Sequence, residues 1–237
     1  MRILALESAA AVASAALTED RRTLAELTLD NGNTHSETLL PMVDTLLSMT
    51  GLTLADIDLF AASVGPGSFT GIRIGAATIK GLTFGKDRCC LGVSSVEALA
   101  WNLRGTDGLI CPVLNARRRQ VYTALFEAKD GTVRRLTQDC VQTVDELDSL
   151  LAEYHTPVSF VGDAYDLAMQ TVTHGRLPVA APLRSPSAAS VAFAARAAYE
   201  AGARGTDATL KPVYLRPCQA ERERMEKLNH EAKEPTP

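Results

Sequence analysis

The chain has 237 residues, 46% hydrophobic and 22% charged, the make-up of an ordinary globular protein with one large or two small domains. No apolar run approaches about 18 residues, which excludes a helical membrane span, and a net charge of −4 excludes a global basic field for nucleic acid. Five cysteines, Cys89, Cys90, Cys111, Cys140 and Cys218, include no CxxC pair, which points to reduced thiols in a cytoplasmic protein rather than to disulfides or zinc.

The opening residues, MRILALESAAAVASAAL, have the apolar look of a leader, but they run into charged TEDRR without a cleavage context. They read instead as strands over 2–7, 12–18 and, after a polar turn, 23–29. A helix is expected from Thr34 to Met49, with Thr34 and Glu37 at capping-box spacing and Ser36 as a rival cap. Pro41 should bend its first turns. The apolar residues of this helix, Leu39, Leu40, Met42, Val43, Leu46, Leu47 and Met49, spread over an arc of about 180°, where one core needs about 100°. The excess edge, Met42 and Met49 with Leu46 between and Leu39 beside them, is a candidate partner surface; the alternative is a helix buried within one subunit.

A strand over 57–64 leads into SVGPGSFTGIR, Ser63 to Arg73. Gly65 and Gly67 begin a G-x-G-x-x-G pattern, but Thr70 takes the sixth place, and no Lys-Ser or Lys-Thr follows as a P-loop requires. What remains is a tight strand-to-helix turn with Ser68 as the helix cap. The helix over 68–84 has a core stripe of Phe69, Ile72, Ala76, Ile79 and Thr83. A second, narrow face of Gly71, Gly75, Thr78 and Leu82 lets another backbone come close, whether its own sheet or a partner helix. CCLGV is a short strand and SSVEALAWNL a helix capped by Ser94 or Ser95.

After Gly105 the pattern restarts. GLICPVLNA, QVYTALFEA and GTVRRLTQDCVQ read as strands, TVDELDSLLAEY as a helix with a Thr143–Glu146 capping box, PVSFVG as a strand and 187–202 as an Ala-rich helix. Two halves that each open with three strands point to α/β architecture with duplicated actin-like domains of the ASKHA, ribonuclease H-like kind. The first domain is placed at 1–104 and the second at 105–205, with 206–237 returning to the first. The charged tail from Gln219 onward reads as frayed.

Catalytic groups are scarce. No GxSxG, HExxH or CxxC motif is present, and His35, His155, His174 and His230 are far apart in sequence. Glu7 ends the first strand, where actin-like ATPases place a carboxylate that orients a metal-bound water. The following SAAAVAS, however, has no glycine-rich hairpin for a phosphate, so tight nucleotide binding by this chain alone is not expected. Arg117, Arg118 and Arg119 form the one local basic cluster, either a solvated turn or a phosphate or RNA contact.

The ordered set ILALES, THSETLLPMV, SVGPGSFTGIRIG, GVSSVEALA, NARRRQVYTALF and PVYLRP resembles the TsaB (YeaZ) family over nearly the whole chain. That family is a bacterial subunit of the machinery that makes threonylcarbamoyladenosine in tRNA. The family commonly has Asp-Thr at Glu7–Ser8 and Asp at Asn115, and these departures weaken a metal or phosphate role there. The family is similar to the catalytic subunit TsaD, once described as a metalloprotease, whose H-x-x-x-H metal site aligns with Ser95 and Leu99; neither can ligate a metal. The resemblance implies a non-catalytic scaffold that activates TsaD at adenosine 37 of tRNAs reading ANN codons. It implies partnership with TsaD through a helix pair and with the P-loop ATPase TsaE, while the wide apolar arc of helix 34–49 points to pairing with a second copy of the chain in the absence of TsaD. It leaves ATP or ADP to an interface shared with those partners, with no cofactor held tightly here. The competing readings are an actin-fold ATPase or small-molecule kinase and, more remotely, a metallopeptidase.

Overall fold

A computed structural model describes residues 1–216. In it, strand β1 (Arg2–Glu7) pairs antiparallel with β2 (Ala13–Glu19), which pairs with β3 (Arg22–Leu29). On the other side of β1 lie β4 (Leu59–Ser63) and β5 (Cys89–Val93), both parallel, giving the order β3-β2-β1-β4-β5. The central strands are apolar throughout because both faces are covered. Ile3 and Ala5 of β1, with Leu59 and Ala61 of β4, face one layer; Leu4, Leu6, Phe60 and Ala62 face the other.

That second layer is α1 (His35–Thr50) and α2 (Phe69–Thr83), packed side by side. The Glu37 carboxylate accepts the Thr34 N–H at 3.2 Å, as the capping box predicts, and α1 ends where Gly51 turns left-handed at φ 67°. The centre of the apolar arc of α1 is spent inside the subunit. Leu39, Met42 and Leu46 are 1%, 3% and 0% exposed, so the expectation of a partner surface there is corrected. The arc is wide because α1 must cover both the sheet and the flank of α2. Met49 alone of that group points outward, 75% exposed.

The second half repeats the plan with interruptions. Strand β6 (Gly108–Asn115) pairs with β7 (Gln120–Thr123) at one end and β8 (Phe126–Lys129) at the other. Ala124 and Leu125 break what the sequence suggests is a single strand. The third strand is likewise split, into β9 (Thr132–Arg135) on β8 and β10 (Cys140–Thr143) on β7. Then come α4 (Val144–Leu151), β11 (Val158–Val161) parallel to β6, the short α5 (Tyr165–Thr171), and β12 (Arg176–Leu177) parallel to β11. The sequence gives little sign of α5 or β12. With the split strands counted as one each, the order 3-2-1-4-5 recurs.

The two halves exchange a helix. The short α3 (Ser95–Ala100) puts Val96, Leu99 and Ala100 into the core of the second half. The Ala-rich α6 (Ala188–Glu200), which the sequence division counts with the second half, packs on β1, β2, β4 and β5 of the first. Small side chains let α6 lie close to the sheet, with Ala188, Ala192 and Ala195 fully buried. Residues after α6 run back along β5, where the Cys90 N–H donates to the Gly205 carbonyl at 3.0 Å. Among the described residues no helix is long and apolar enough to cross a membrane.

The position of Met42 gives a direct check. Met42→Glu places a carboxylate among Leu39, Val43 and Leu46, a cost of about 3 kcal/mol or more. It should lower the melting temperature by roughly 6–12 °C. Met49→Glu, about two turns further on, should shift it by no more than about 2 °C. Equal shifts in differential scanning fluorimetry would refute the burial of Met42.

Candidate functional site

The glycine-rich turn between β4 and α2 is where three distant parts of the chain meet. Gly67 has φ 156°, and a Cβ there would stand 2.3 Å from the Ala9 carbonyl oxygen of the β1–β2 turn. Ser68 donates its N–H to that same carbonyl at 2.7 Å, and its hydroxyl caps α2 by accepting the Gly71 N–H at 3.2 Å. Gly65 is pressed on by the Val213 carbonyl and exchanges hydrogen bonds with Ser95, whose N–H donates to the Gly65 carbonyl at 2.9 Å. The segment is a packing clamp.

Gly71 and Gly75 form a notch for Ser8. A Cβ on Gly71 would lie 2.0 Å from the Ser8 carbonyl oxygen, and one on Gly75 2.3 Å from its hydroxyl, which donates to the Gly71 carbonyl at 2.9 Å. The close backbone approach foreseen for this face is therefore within the subunit, and the partner-helix expectation for Gly71 and Gly75 is corrected. Thr78 and Leu82 are half-buried, with Leu82 packed on the first core. On α2 the open small residues are Ala77 and Gly81; nothing lies within 4 Å of a Cβ added at Gly81.

Glu7, beneath the β1–β2 turn, is 1% exposed. One carboxylate oxygen accepts the Ala9 N–H at 2.6 Å, while the other is buried without a hydrogen-bond partner. Burial pushes its pKa up to about 7, against the pull of the Ala9 amide.

A cleft of about 720 Å³ separates the two halves. One wall is the β1–β2 turn, the glycine turn and Phe69; the other is Asn115–Arg117, Tyr122 and Asp163. Asp163 accepts the Asn115 N–H at 2.7 Å, fixing the base of the β6–β7 loop. In that loop Arg117, Arg118 and Arg119 have φ of 63°, 54° and 57°, a left-handed stretch costing roughly 1–2 kcal/mol per residue. Across the cleft mouth runs the segment Val213–Arg216. Tyr214 stacks on Phe69 with ring centroids 4.6 Å apart and accepts from Arg73 Nε at 2.6 Å, while the Arg73 guanidinium lies 3.8 Å over the Phe69 ring. Arg216 donates to the Ala116 carbonyl at 2.9 Å and to the Gln120 side chain.

Sequence reasoning reached the arginine loop but missed Phe69 as a cleft residue, together with Arg73, Asp163, Tyr214 and Arg216. The one signal for the last two is the aromatic beside an arginine in PVYLRP. Ser95 and Leu99, which the resemblance sets against metal-binding histidines, are 2% and 1% exposed and serve the clamp and the core. His35 bonds to the Ala10 carbonyl and His174 to the Thr156 carbonyl; His230 and Cys218 lie outside the described residues. Among the described residues no group of three His, Cys, Asp or Glu side chains is placed to hold a metal.

The family model "TsaD: tRNA N6-adenosine threonylcarbamoyltransferase" matches residues 30–222. The tRNA threonylcarbamoyladenosine biosynthesis protein TsaB of Bacillus subtilis is 33% identical over 226 residues, 93% of this chain and 96% of that one. The chain belongs to the TsaB (YeaZ) branch of this family. The TsaB of Escherichia coli is 35% identical over 56% of this chain and 58% of its own. A crystal structure from Pseudomonas aeruginosa, described as similar to peptidase YEAZ, superposes with a TM-score of 0.80 at 26% identity, covering 91% of this chain and 99% of that one. The ethanolamine utilization protein EutJ of Carboxydothermus hydrogenoformans, at 12% identity and a TM-score of 0.51, shares the fold alone. The architecture is the duplicated actin-like one that the strand order describes.

Two outcomes test the family's site as built here. Gly71→Ala forces the Ser8 carbonyl to move and should cost about 3 kcal/mol. Gly81→Ala meets open space and should stabilise by up to about 1 kcal/mol. Thermal melts that fail to separate the two would contradict the notch. For Glu7, a raised folded-state pKa means the native chain binds the extra proton, so this group's contribution is full below about 4.5 and lost as pH rises to about 7. Glu7→Gln should therefore gain on wild type from pH 5 to pH 8, by about 3 kcal/mol at most, in urea midpoints across that range. A pH-independent difference would count against a buried, titrating Glu7.

Proposed function

We propose that this chain is a non-catalytic subunit in tRNA threonylcarbamoyladenosine formation. It holds and activates TsaD, in an assembly with TsaE, for transfer of threonylcarbamoyl to adenosine 37 of tRNAs reading ANN codons. The relatives named TsaB support the pathway. The observation that carries the role is the apolar surface left uncovered on α2 and at the flanks of α1. On α2, Phe84 is 78% exposed on the same side as the exposed Ala77 and Gly81, while Met49 (75%) and Leu40 (47%) are exposed on opposite flanks of α1. A large apolar side chain beside two small residues four apart on α2, with Met49 exposed on the adjacent α1, suits partner helices that come close. Methionine adapts its shape to such a contact. In the absence of TsaD the same surface pairs with a second copy of the chain. ATP or ADP belongs to a surface shared with the partners.

The test is association with the host's TsaD, read by isothermal titration, beside a threonylcarbamoylation assay. Met49→Glu and Gly81→Arg should each raise Kd by at least about thirtyfold, as loss of an interface hot spot does. Both should leave the melting temperature within about 2 °C, since both sites are exposed and Gly81→Arg improves helix propensity. Unchanged binding by both variants would move the interface elsewhere. Robust ATP turnover by the pure chain, lost in Glu7→Gln, would favour an ATPase instead.

A further inference from the structure

Most arginines of the described chain are spent internally. Arg135 pairs with Glu97 and Asp139, Arg184 holds the Val179 carbonyl, Arg196 pairs with Glu200, and Arg216 ties down Ala116. Arg117, Arg118 and Arg119 are different. They are adjacent and exposed, and among the described residues none of their guanidinium groups has a carboxylate, carbonyl or ring partner. Their loop is nevertheless fixed. The Ala116 N–H donates to the Gln120 carbonyl at 2.9 Å, the Gln120 N–H to the Arg117 carbonyl at 3.0 Å, and the Arg117 N–H to Asn115 Oδ1 at 2.8 Å. A rigid left-handed loop that crowds three like charges together gains nothing inside the subunit, and such outliers cluster at ligand clamps.

The strap beside the loop supplies a second kind of contact. Tyr214 is 40% exposed on the cleft mouth, backed by Phe69 and oriented by Arg73. Two residues on, at most about 7 Å along the chain, Arg216 is bonded to the base of the arginine loop, so ring and loop stand on one connected frame. Fixed cations beside an exposed, supported aromatic ring are what single-stranded nucleic acid requires: phosphates pair with the arginines and a base stacks on the ring. Among the described residues Asp163 is the one carboxylate lining the cleft, and it is engaged by the Asn115 amide.

We propose that this cleft rim binds a single-stranded stretch of the RNA substrate, with phosphates on Arg117, Arg118 and Arg119 and a base on Tyr214. The inference rests on the tRNA reading above and names a surface for it. An acidic protein segment would use the arginines but not the ring.

The experiment is fluorescence anisotropy with a labelled anticodon stem-loop transcript, using the free chain and its complex with TsaD, from about 50 to 200 mM KCl. The triple variant Arg117→Gln, Arg118→Gln, Arg119→Gln should weaken binding at least about tenfold at low salt. It should also flatten the slope of log K against log salt by about 2, since each single-strand phosphate contact contributes about 0.7. Tyr214→Leu should weaken binding at least about fivefold with the slope unchanged. Arg118→Gln alone, a single exposed change, should lower the slope by about 0.7 and covers the case of a misfolded triple variant. Wild-type affinity and slope in the arginine variants would overturn the proposal, as would a wild-type chain and complex that bind no RNA. Arginine variants that bind RNA normally but lose TsaD or TsaE would also overturn it and make the loop a protein docking site. Association with TsaD measured without RNA on the same samples reports separately on the subunit reading.

Discussion

The structure depends on a steric constraint: several backbones occupy the space where side chains would stand on the turn after β4. The Ala9 carbonyl sits against Gly67, the Ser8 carbonyl and hydroxyl against Gly71 and Gly75, and the Val213 carbonyl against Gly65. These contacts set the β1–β2 turn against α2, bring the first turn of α3 to the sheet through Ser95, and anchor the strap that crosses the cleft mouth. Without that clamp the cleft would lose one wall and its rim together. Glycine inside a helix lowers local stability, and the close seating of Ser8 is what that cost secures.

The clamp lies at the joint of a duplicated fold whose halves are not independent. Each half builds its sheet in the order 3-2-1-4-5, yet each borrows a covering helix across the boundary. Alanines make this possible for α6, because a helix of larger side chains would stand too far from β1 and β2 for Ile3, Ala5 and Ala16 to be sealed. The second sheet is the less regular of the two. Its split strands leave room for Thr137, whose hydroxyl accepts the Leu125 N–H at 2.8 Å where the ladder is broken.

Much of this was legible in the sequence. Unbroken apolar runs such as RILALE mark strands covered on both faces, and the capping boxes at Thr34–Glu37 and Thr143–Glu146 place two helix starts to within a residue. Spacing alone showed that the glycine turn is neither a dinucleotide fingerprint nor a P-loop. The failures share one cause. Whether Met42 or Met49 faces outward depends on where α2 lies, and whether Gly71 serves a partner or Ser8 depends on a contact between residues 63 apart in the chain. The aromatic frame of Phe69, Arg73 and Tyr214 joins residues more than a hundred positions apart, which no local pattern reports. The exchange of α3 and α6 is invisible for the same reason: periodicity tells that a helix has an apolar face, not which sheet receives it.

The notch for Ser8 bears on how such sequences are classified. The glycines of GPGSFTGIRIG answer to the seating of a neighbouring turn, a demand that persists whether or not the chain performs chemistry. A search keyed to that string detects a joint in the scaffold and by itself says nothing about activity. At Ser95 and Leu99, likewise, a hydroxyl is bonded to the clamp and a side chain is sunk in the core. The motif that draws the eye is a hallmark of architecture, and it is tied to a plain serine 30 positions downstream.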